Sequence, residues 1–276
     1  MHTPDAAAPV ISVLMGVYYR KTDTALLERS VRSILKQTFG DFEFLICDDG
    51  STAEAASLLE DLAAEDSRIR LVRVGTLFNL PQKLNACLAS ARGKFLARMD
   101  DDDYSHPERF EKQVAYLKTH PEVSFVGCNV NLVQDGREIA QKSFPANPSV
   151  QDFYMTQPYI HPTLLFRKEV INIVGGYSED KYCDHCEDYD LLLRLYAKGF
   201  RGVNLQQVLF DYTAPNVKGN RTMRHRRNEC ITRYRRFQEL GVLPQAFPYV
   251  IKPIVVGMIP AQILRRWKES AYEVQQ

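Results

Sequence analysis

KFLARMDDDD, residues 94–103, decides how the rest of this 276-residue chain is read. A short run suited to burial (Phe95, Leu96, Ala97, Met99) stops against four consecutive carboxylates, Asp100 to Asp103. Four like charges side by side repel one another, and burying them without a counter-charge is costly. A divalent cation removes that cost, because hard ions such as Mg²⁺ and Mn²⁺ prefer carboxylate oxygens. The bland alternative is a solvated acidic loop. What surrounds the run decides between them.

Upstream, residues 10–17 form an apolar, β-branched stretch that predicts a buried first strand. Leu27, Val31, Ile34 and Leu35 then fall on one helical face before Gly40. A second strand is expected over 42–47, ending in Asp48-Asp49-Gly50-Ser51, followed by a helix over 53–64 and a third strand over 69–74. Leu84, Leu88 and Ala91 mark the next helix, and 94–99 is the fourth strand. Pro107 opens a helix whose apolar face carries Phe110, Val114 and Leu117, and a further strand spans 124–133. Such alternation predicts an α/β fold with a mostly parallel sheet and helices on both faces. Ligands of these sheets bind outside the carboxyl ends of the strands. Both acidic clusters, Asp48-Asp49 and Asp100 to Asp103, sit at those ends and are expected to share one crevice.

After residue 142 the pattern is irregular, with Pro145, Pro148, Pro158 and Pro162. A short strand is expected over 163–166, Gly175-Gly176 closes a brief helix, a strong helix covers 187–198, and one or two strands cover 201–212. From 216 to 276 the composition shifts to a basic, amphipathic extension. Lys218, Arg221, Arg224, Arg226, Arg227, Arg233, Arg235 and Arg236 accompany an apolar stripe of Ile231, Tyr234, Phe237 and Leu240. The apolar tail over 247–264 is interrupted by three prolines and Lys252, too short and broken for a membrane span.

The bulk numbers exclude several classes. Hydrophobic residues make up 45% and charged residues 25%, an ordinary globular balance, and a net charge of +1 gives no argument for nucleic acid. The start, MHTPDAAAPV, lacks the pattern of a signal peptide, and the expected location is cytoplasmic. Cys47, Cys87 and Cys128 lie in apolar segments, as reduced buried thiols do, so no disulfide framework is expected. No GxxxxGK[ST] and no GxGxxG occurs, which argues against a P-loop kinase or a dinucleotide oxidoreductase.

Asp188 carries the sharper chemical argument. Leu191, Leu192 and Leu195 follow it at i+3, i+4 and i+7, so it is expected on their inward face, while Glu187 and an Asp190–Arg194 pair point elsewhere. A carboxylate in line with leucines is a candidate general base; an acid placed there only for the helix N-terminus is the alternative. Cys183-Asp184-His185-Cys186 resembles half a zinc site without a second pair. His161 before Pro162 is either structural or an imidazole at the crevice.

In their order, these residues resemble the family 2 glycosyltransferases: Ile11 to Tyr18; Ser33-Ile34-Leu35-Lys36-Gln37-Thr38; Asp48-Asp49-Gly50-Ser51-Thr52; Arg92-Gly93-Lys94; Arg98 to Asp102; His161-Pro162-Thr163; Gly175-Gly176-Tyr177; and Glu187 to Leu191. The match covers about 10–212. It implies a GT-A fold over 10–215, with a nucleotide half to about 103 and an acceptor half after it. It also implies a nucleotide-sugar donor, with UDP as the family's default, a divalent Mn²⁺ or Mg²⁺, and an inverting transfer to a saccharide or lipid-linked acceptor in cell-surface polysaccharide synthesis. Val17, Tyr18 and Asp49 match positions at the nucleoside end. Asp100, Asp101 and Asp102 match the DxD turn, with Asp102 the metal ligand. Asp188 matches the catalytic base, and Arg92, His161 and Glu187 match positions near the donor or acceptor sugar. Gly16, Tyr19, Ala53 and Asn79 depart from the family's usual Pro, Asn, Asp and Gly, which bears on donor selectivity.

Two other readings are kept. Residues 45–52 superficially offer the acid, glycine and hydroxyl of an aspartyl phosphatase, and a transferase fold used only to bind sugar nucleotides is the other alternative. The basic and broken apolar segment over 218–268 suggests contact with an anionic membrane at the inner face.

Overall fold

The first apolar run becomes β1, Ile11–Val17, in the middle of the parallel part of the sheet. The computed structural model describes residues 8–75, 79–214 and 222–259. In chain order the first half supplies α1 (Ala25–Leu35), β2 (Phe42–Asp48), α2 (Ala53–Glu65), β3 (Ile69–Leu71), α3 (Leu80–Ser90), β4 (Phe95–Arg98), β5 (Tyr104–Ser105) and α4 (Arg109–Thr119). The second supplies β6 (Phe125–Gln134), β7 (Arg137–Lys142), α5 (Asp152–Met155), a 3₁₀ turn at His161–Thr163, β8 (Leu165–Arg167), α6 (Lys168–Val174), α7 (Glu187–Ala197), β9 (Gly202–Thr213), α8 (Met223–Glu239) and α9 (Leu243–Met258).

Strands run in the order β3-β2-β1-β4-β8-β6-β9-β5, with β7 paired to β6. β3, β2, β1 and β4 are mutually parallel; β8 enters antiparallel between β4 and β6, and β9 returns parallel to β6. Alternate residues of β1 feed two cores. Ile11, Val13, Met15 and Val17 pack with Leu27, Val31, Leu59 and Phe110 of α1, α2 and α4. Leu14, on the other face, packs with Leu84, Cys87, Leu191 and Leu195 of α3 and α7. The period of two in the strands and the helical period in their covers therefore agree, as a three-layer α/β sandwich requires.

Several expected boundaries shift. β3 stops at Leu71 instead of 74. The segment over 201–212 is one strand whose pairing with β6 slips near Asn129. β7 is an addition to the expected strands: its residues are almost all exposed, so no apolar pattern announces it. Asp135 and Gly136, at φ 50° and 75°, make the two-residue turn that folds it back on β6.

The stripe expected on the C-terminal helix is also revised. Asn228, Thr232, Arg233 and Phe237 form the buried face of α8, and Tyr234 points outward. The face is polar because it must satisfy buried carbonyls: Asn228 Nδ2 donates to Lys181 O at 3.2 Å, Thr232 Oγ1 to Tyr182 O at 3.0 Å, and Arg233 to Tyr154 O at 2.7 Å. Much of the basic cluster is likewise engaged within the protein, Arg233 with Glu229, Arg235 with Asp180, and Arg236 with Asp190 and Glu239. Lys218 and Arg221 lie outside the described residues. Among the described residues no helix is long and apolar enough to cross a membrane.

Candidate active site

Two adjoining clefts open along the carboxyl ends of the parallel strands. The larger, about 980 Å³, is lined by Tyr18, Asp49, Lys83, Asp100 and Asp101 among others. The smaller, about 480 Å³, is lined by Asp188, His161, Gln157, Arg226 and Arg233. Leu80, Asp100, His185 and Glu187 border both, so the clefts are continuous.

The floor of the larger cleft is built from the ends of β1 and β2. One oxygen of Asp48 accepts from the backbone N–H of Ser51 at 3.2 Å and from the Ser51 hydroxyl. It braces the turn that Gly50, at φ 75°, makes possible. Asp48 and Asp49 both line the cleft. Sequence reasoning misses Lys83. Its side chain is buried, its Nζ donates to Val17 O at 3.0 Å, lies 3.9 Å from an Asp49 oxygen and 5.0 Å from the Tyr18 ring centroid. Burial pushes the Lys83 ammonium below its ordinary range, opposed by Asp49. Position 16 packs tightly under α3: a Cβ there would come within 2.9 Å of the Leu80 side chain and 3.1 Å of Lys83. Val17 contributes through its carbonyl, since its side chain is in the core.

Asp100, Asp101 and Asp102 follow β4 directly. Behind them Arg98 is fully buried and pairs with Asp100, donating also to Leu14 O at 3.3 Å. One guanidinium does not neutralise the group. Burial, reinforced by Asp100 and Asp102, raises Asp101 to about 7, and burial with Asp100 raises Asp102 to about 6. Asp103 is also raised by burial and by Asp100 and Asp102. One of its oxygens accepts from Thr213 N at 2.7 Å, tying the turn to β9. Oxygen donors that are short of counter-charge, beside a cleft, are the donor set a hard divalent cation takes. Asp100 and Asp101 line the cleft, whereas Asp102 lies at the same turn and lines neither cleft.

In the smaller cleft Asp188 sits in the first turn of α7. Gln157 Nε2 donates to one of its oxygens at 3.0 Å and the Tyr189 backbone N–H to the other at 2.7 Å, which fixes the carboxylate's orientation. The expected division of the helix is corrected here. Asp190 is the deeply buried acid, held at 2.7 Å by both Arg194 and Arg236, while Asp188 is half-buried at the cleft wall. Asp190 falls inward because α8 covers the face that would otherwise meet solvent. Glu187 does not point away: it borders both clefts, and burial, then Asp188, raises it to about 7. His161 is buried, its Nε2 lies 2.9 Å from the Tyr177 hydroxyl, and burial, then Arg98, keeps it neutral.

Arg92 needs a correction. It precedes β4 and binds Glu43 at the start of β2, through its backbone N–H at 2.7 Å and Nε at 2.9 Å. That is the opposite end of the strands from the clefts. Glu43 is buried, yet these bonds, with Ser12 and Arg70, hold it below the usual carboxylate range, so the pair fastens a strand end instead of holding donor.

The family profile described as Glycosyl transferase family 2 matches residues 12–176. The chain belongs to this glycosyltransferase family. It is 31% identical over 266 residues to the glycosyltransferase EpsE of Bacillus subtilis, covering 96% of this chain and 95% of that one. It is 32% identical to the amylovoran biosynthesis glycosyltransferase AmsE of Erwinia amylovora over 74% of this chain and 76% of the relative. Among solved structures, S. aureus TarS 1-349 in complex with UDP-GlcNAc superposes with a TM-score of 0.68 over 88% of this chain and 72% of that one, at 18% identity. The mannosyltransferase PcManGT of Pyrobaculum calidifontis, in complex with GDP-Man and Mn²⁺, gives 0.60 over 97% and 83%, at 16% identity. These likenesses establish the fold, a GT-A glycosyltransferase fold with a mainly parallel mixed sheet and a helical C-terminal region.

Proposed function

We propose that this family 2 glycosyltransferase moves a hexosyl unit from a UDP-linked donor to a saccharide acceptor, with inversion, in the assembly of a surface polysaccharide. The observation that carries this is the continuity of the two clefts, with Asp100 and Glu187 on their shared border. The larger cleft suits the nucleotide: Tyr18 offers a half-exposed ring for the base, and Asp49, beside Lys83, offers an acceptor for its edge. Asp102, with Asp100 and Asp101 adjacent, would hold Mn²⁺ or Mg²⁺, which supplies Lewis-acid charge neutralisation at the departing diphosphate when bound. Asp188 takes the proton of the acceptor hydroxyl as its oxygen attacks the anomeric carbon and the bond to the diphosphate breaks. Gln157 and the Tyr189 N–H keep that carboxylate aimed during the transfer.

The experiment is a donor screen that follows nucleotide release with Mn²⁺ or Mg²⁺, with and without an acceptor panel. UDP release that requires both donor sugar and acceptor is the expected result. Phosphate release from simple esters, or donor binding without turnover, would overturn the proposal.

A second reading concerns attachment. Phe247, Ile251, Val255 and Met258 are 50%, 47%, 51% and 74% exposed and recur at helical spacing on α9. Such a stripe favours insertion at a membrane interface, with Arg265, Arg266 and Lys268 following in sequence outside the described residues. Flotation with vesicles containing anionic lipid should carry the full chain upward. Replacing Phe247, Ile251 and Val255 by Ser should reduce that by about tenfold or more, because several kcal/mol of apolar burial is lost. Full-length chain that stays at the bottom of the gradient defeats this reading.

A further inference from the structure

The loop before α7 carries four potential ligands, and the structure sorts them by direction. Cys183 and Cys186 are each only 4% exposed; the Cys186 sulfur lies 3.3 Å from the Thr232 hydroxyl and 3.5 Å from Tyr182 O. The thiols therefore face the protein. Asp184 and His185 between them face outward, with side chains 30% and 60% exposed. The missing partner comes from the first turn of α8, where His225 brings its ring to 3.9 Å from the His185 ring, centroid to centroid. Donor atoms of Asp184, His185 and His225 all lie within 4.8 Å of one another. His185 Nε2 is 4.0 Å from Asp184 Oδ1, and the exposed Arg224 lies 3.6 Å from the other oxygen, leaving Oδ1 to the cluster.

We propose that Asp184, His185 and His225 form a site for a zinc-class transition metal, distinct from the carboxylate turn at residues 100–102. Two imidazoles and one carboxylate suit Zn²⁺ or Co²⁺, with bonds of about 2.0–2.2 Å that side-chain rotation brings within reach. Mg²⁺, which favours oxygen donors, is poorly served by such a set. Bound there, the metal clasps the loop that leads into Glu187 and Asp188 to α8, and three protein ligands leave a coordination position open. Asp184 and His185 line the larger cleft, so the site lies at the cleft's rim.

The test titrates chelator-stripped full-length chain with Zn²⁺ by calorimetry and with Co²⁺ by visible absorption. One Zn²⁺ per chain should still bind in an Asp102→Ala variant and in a Cys183→Ser/Cys186→Ser variant. His185→Ala and His225→Ala should each weaken that binding at least about tenfold, about 1.4 kcal/mol, and His225→Ala should abolish the Co²⁺ d–d bands. Zn²⁺ should raise the melting temperature of the unaltered chain and not of His225→Ala. Absence of Zn²⁺ binding in the unaltered chain, binding that survives both histidine substitutions, or binding lost with the thiols would each overturn the site. Loss of sugar transfer in the donor screen with this metal binding intact would refute the proposed reaction and leave the site standing.

Discussion

Asp188→Asn slows sugar transfer by about 10²–10⁴-fold, the usual contribution of a positioned general base, while UDP affinity stays essentially unchanged. The asparagine keeps the shape of the carboxyl group and one of its two acceptor oxygens, so the Tyr189 N–H retains its partner and the first turn of α7 is preserved. Gln157 loses an acceptor, a cost of about 1 kcal/mol to stability, too small to unfold a domain with two cores. The loss therefore falls on kcat and not on the donor's dissociation constant. Steady-state kinetics and calorimetry on the same preparation check both halves. Transfer at the unaltered rate would remove Asp188 from the mechanism.

With Asp102 as the proposed ligand, Asp102→Ala lowers metal-dependent UDP binding by at least about tenfold, about 1.4 kcal/mol. Chelator should bring the unaltered protein to the same level. Because Asp102 lines neither cleft while Asp101 lines the larger one, an Asp101→Ala variant measured alongside assigns the ligand. A loss confined to Asp101→Ala would transfer the metal to that residue. The pH dependence has a definite sign. Asp101 near 7 and Asp102 near 6 hold protons that a cation must displace, so metal-dependent binding strengthens as pH rises through that range and fades below it.

Much of the scaffold was legible because its signals are local. The buried strands at Ile11–Val17 and Phe42–Asp48 are mainly apolar runs, and the acids at 48–49 and 100–103 mark where those strands and β4 end. What escaped the reading depends on partners far along the chain. Lys83 looks like any exposed lysine on an amphipathic helix until α3 packs on β1 and its ammonium meets Val17 O and Asp49. Asp188 and Asp190 are two residues apart, and which one is buried is decided by Arg236, 46 residues further on. The hairpin into β7 did leave a trace, Asp135-Gly136, a pair favoured in two-residue turns, but its polar strand gave no second signal. Gln157 lies among prolines and carries no pattern at all.

The grip of Arg236 on Asp190, beside that of Arg194, makes α8 a foundation of α7, the helix that carries Asp188. A chain truncated near residue 215, before α8, would keep a buried acid with half its counter-charge and a loop before α7 without Thr232 and Asn228. Under the reaction and attachment proposed above, exchanging tails between relatives would alter turnover as well as docking. Separating those two properties calls for side-chain changes on the outer surface of α9, with the chain kept at full length.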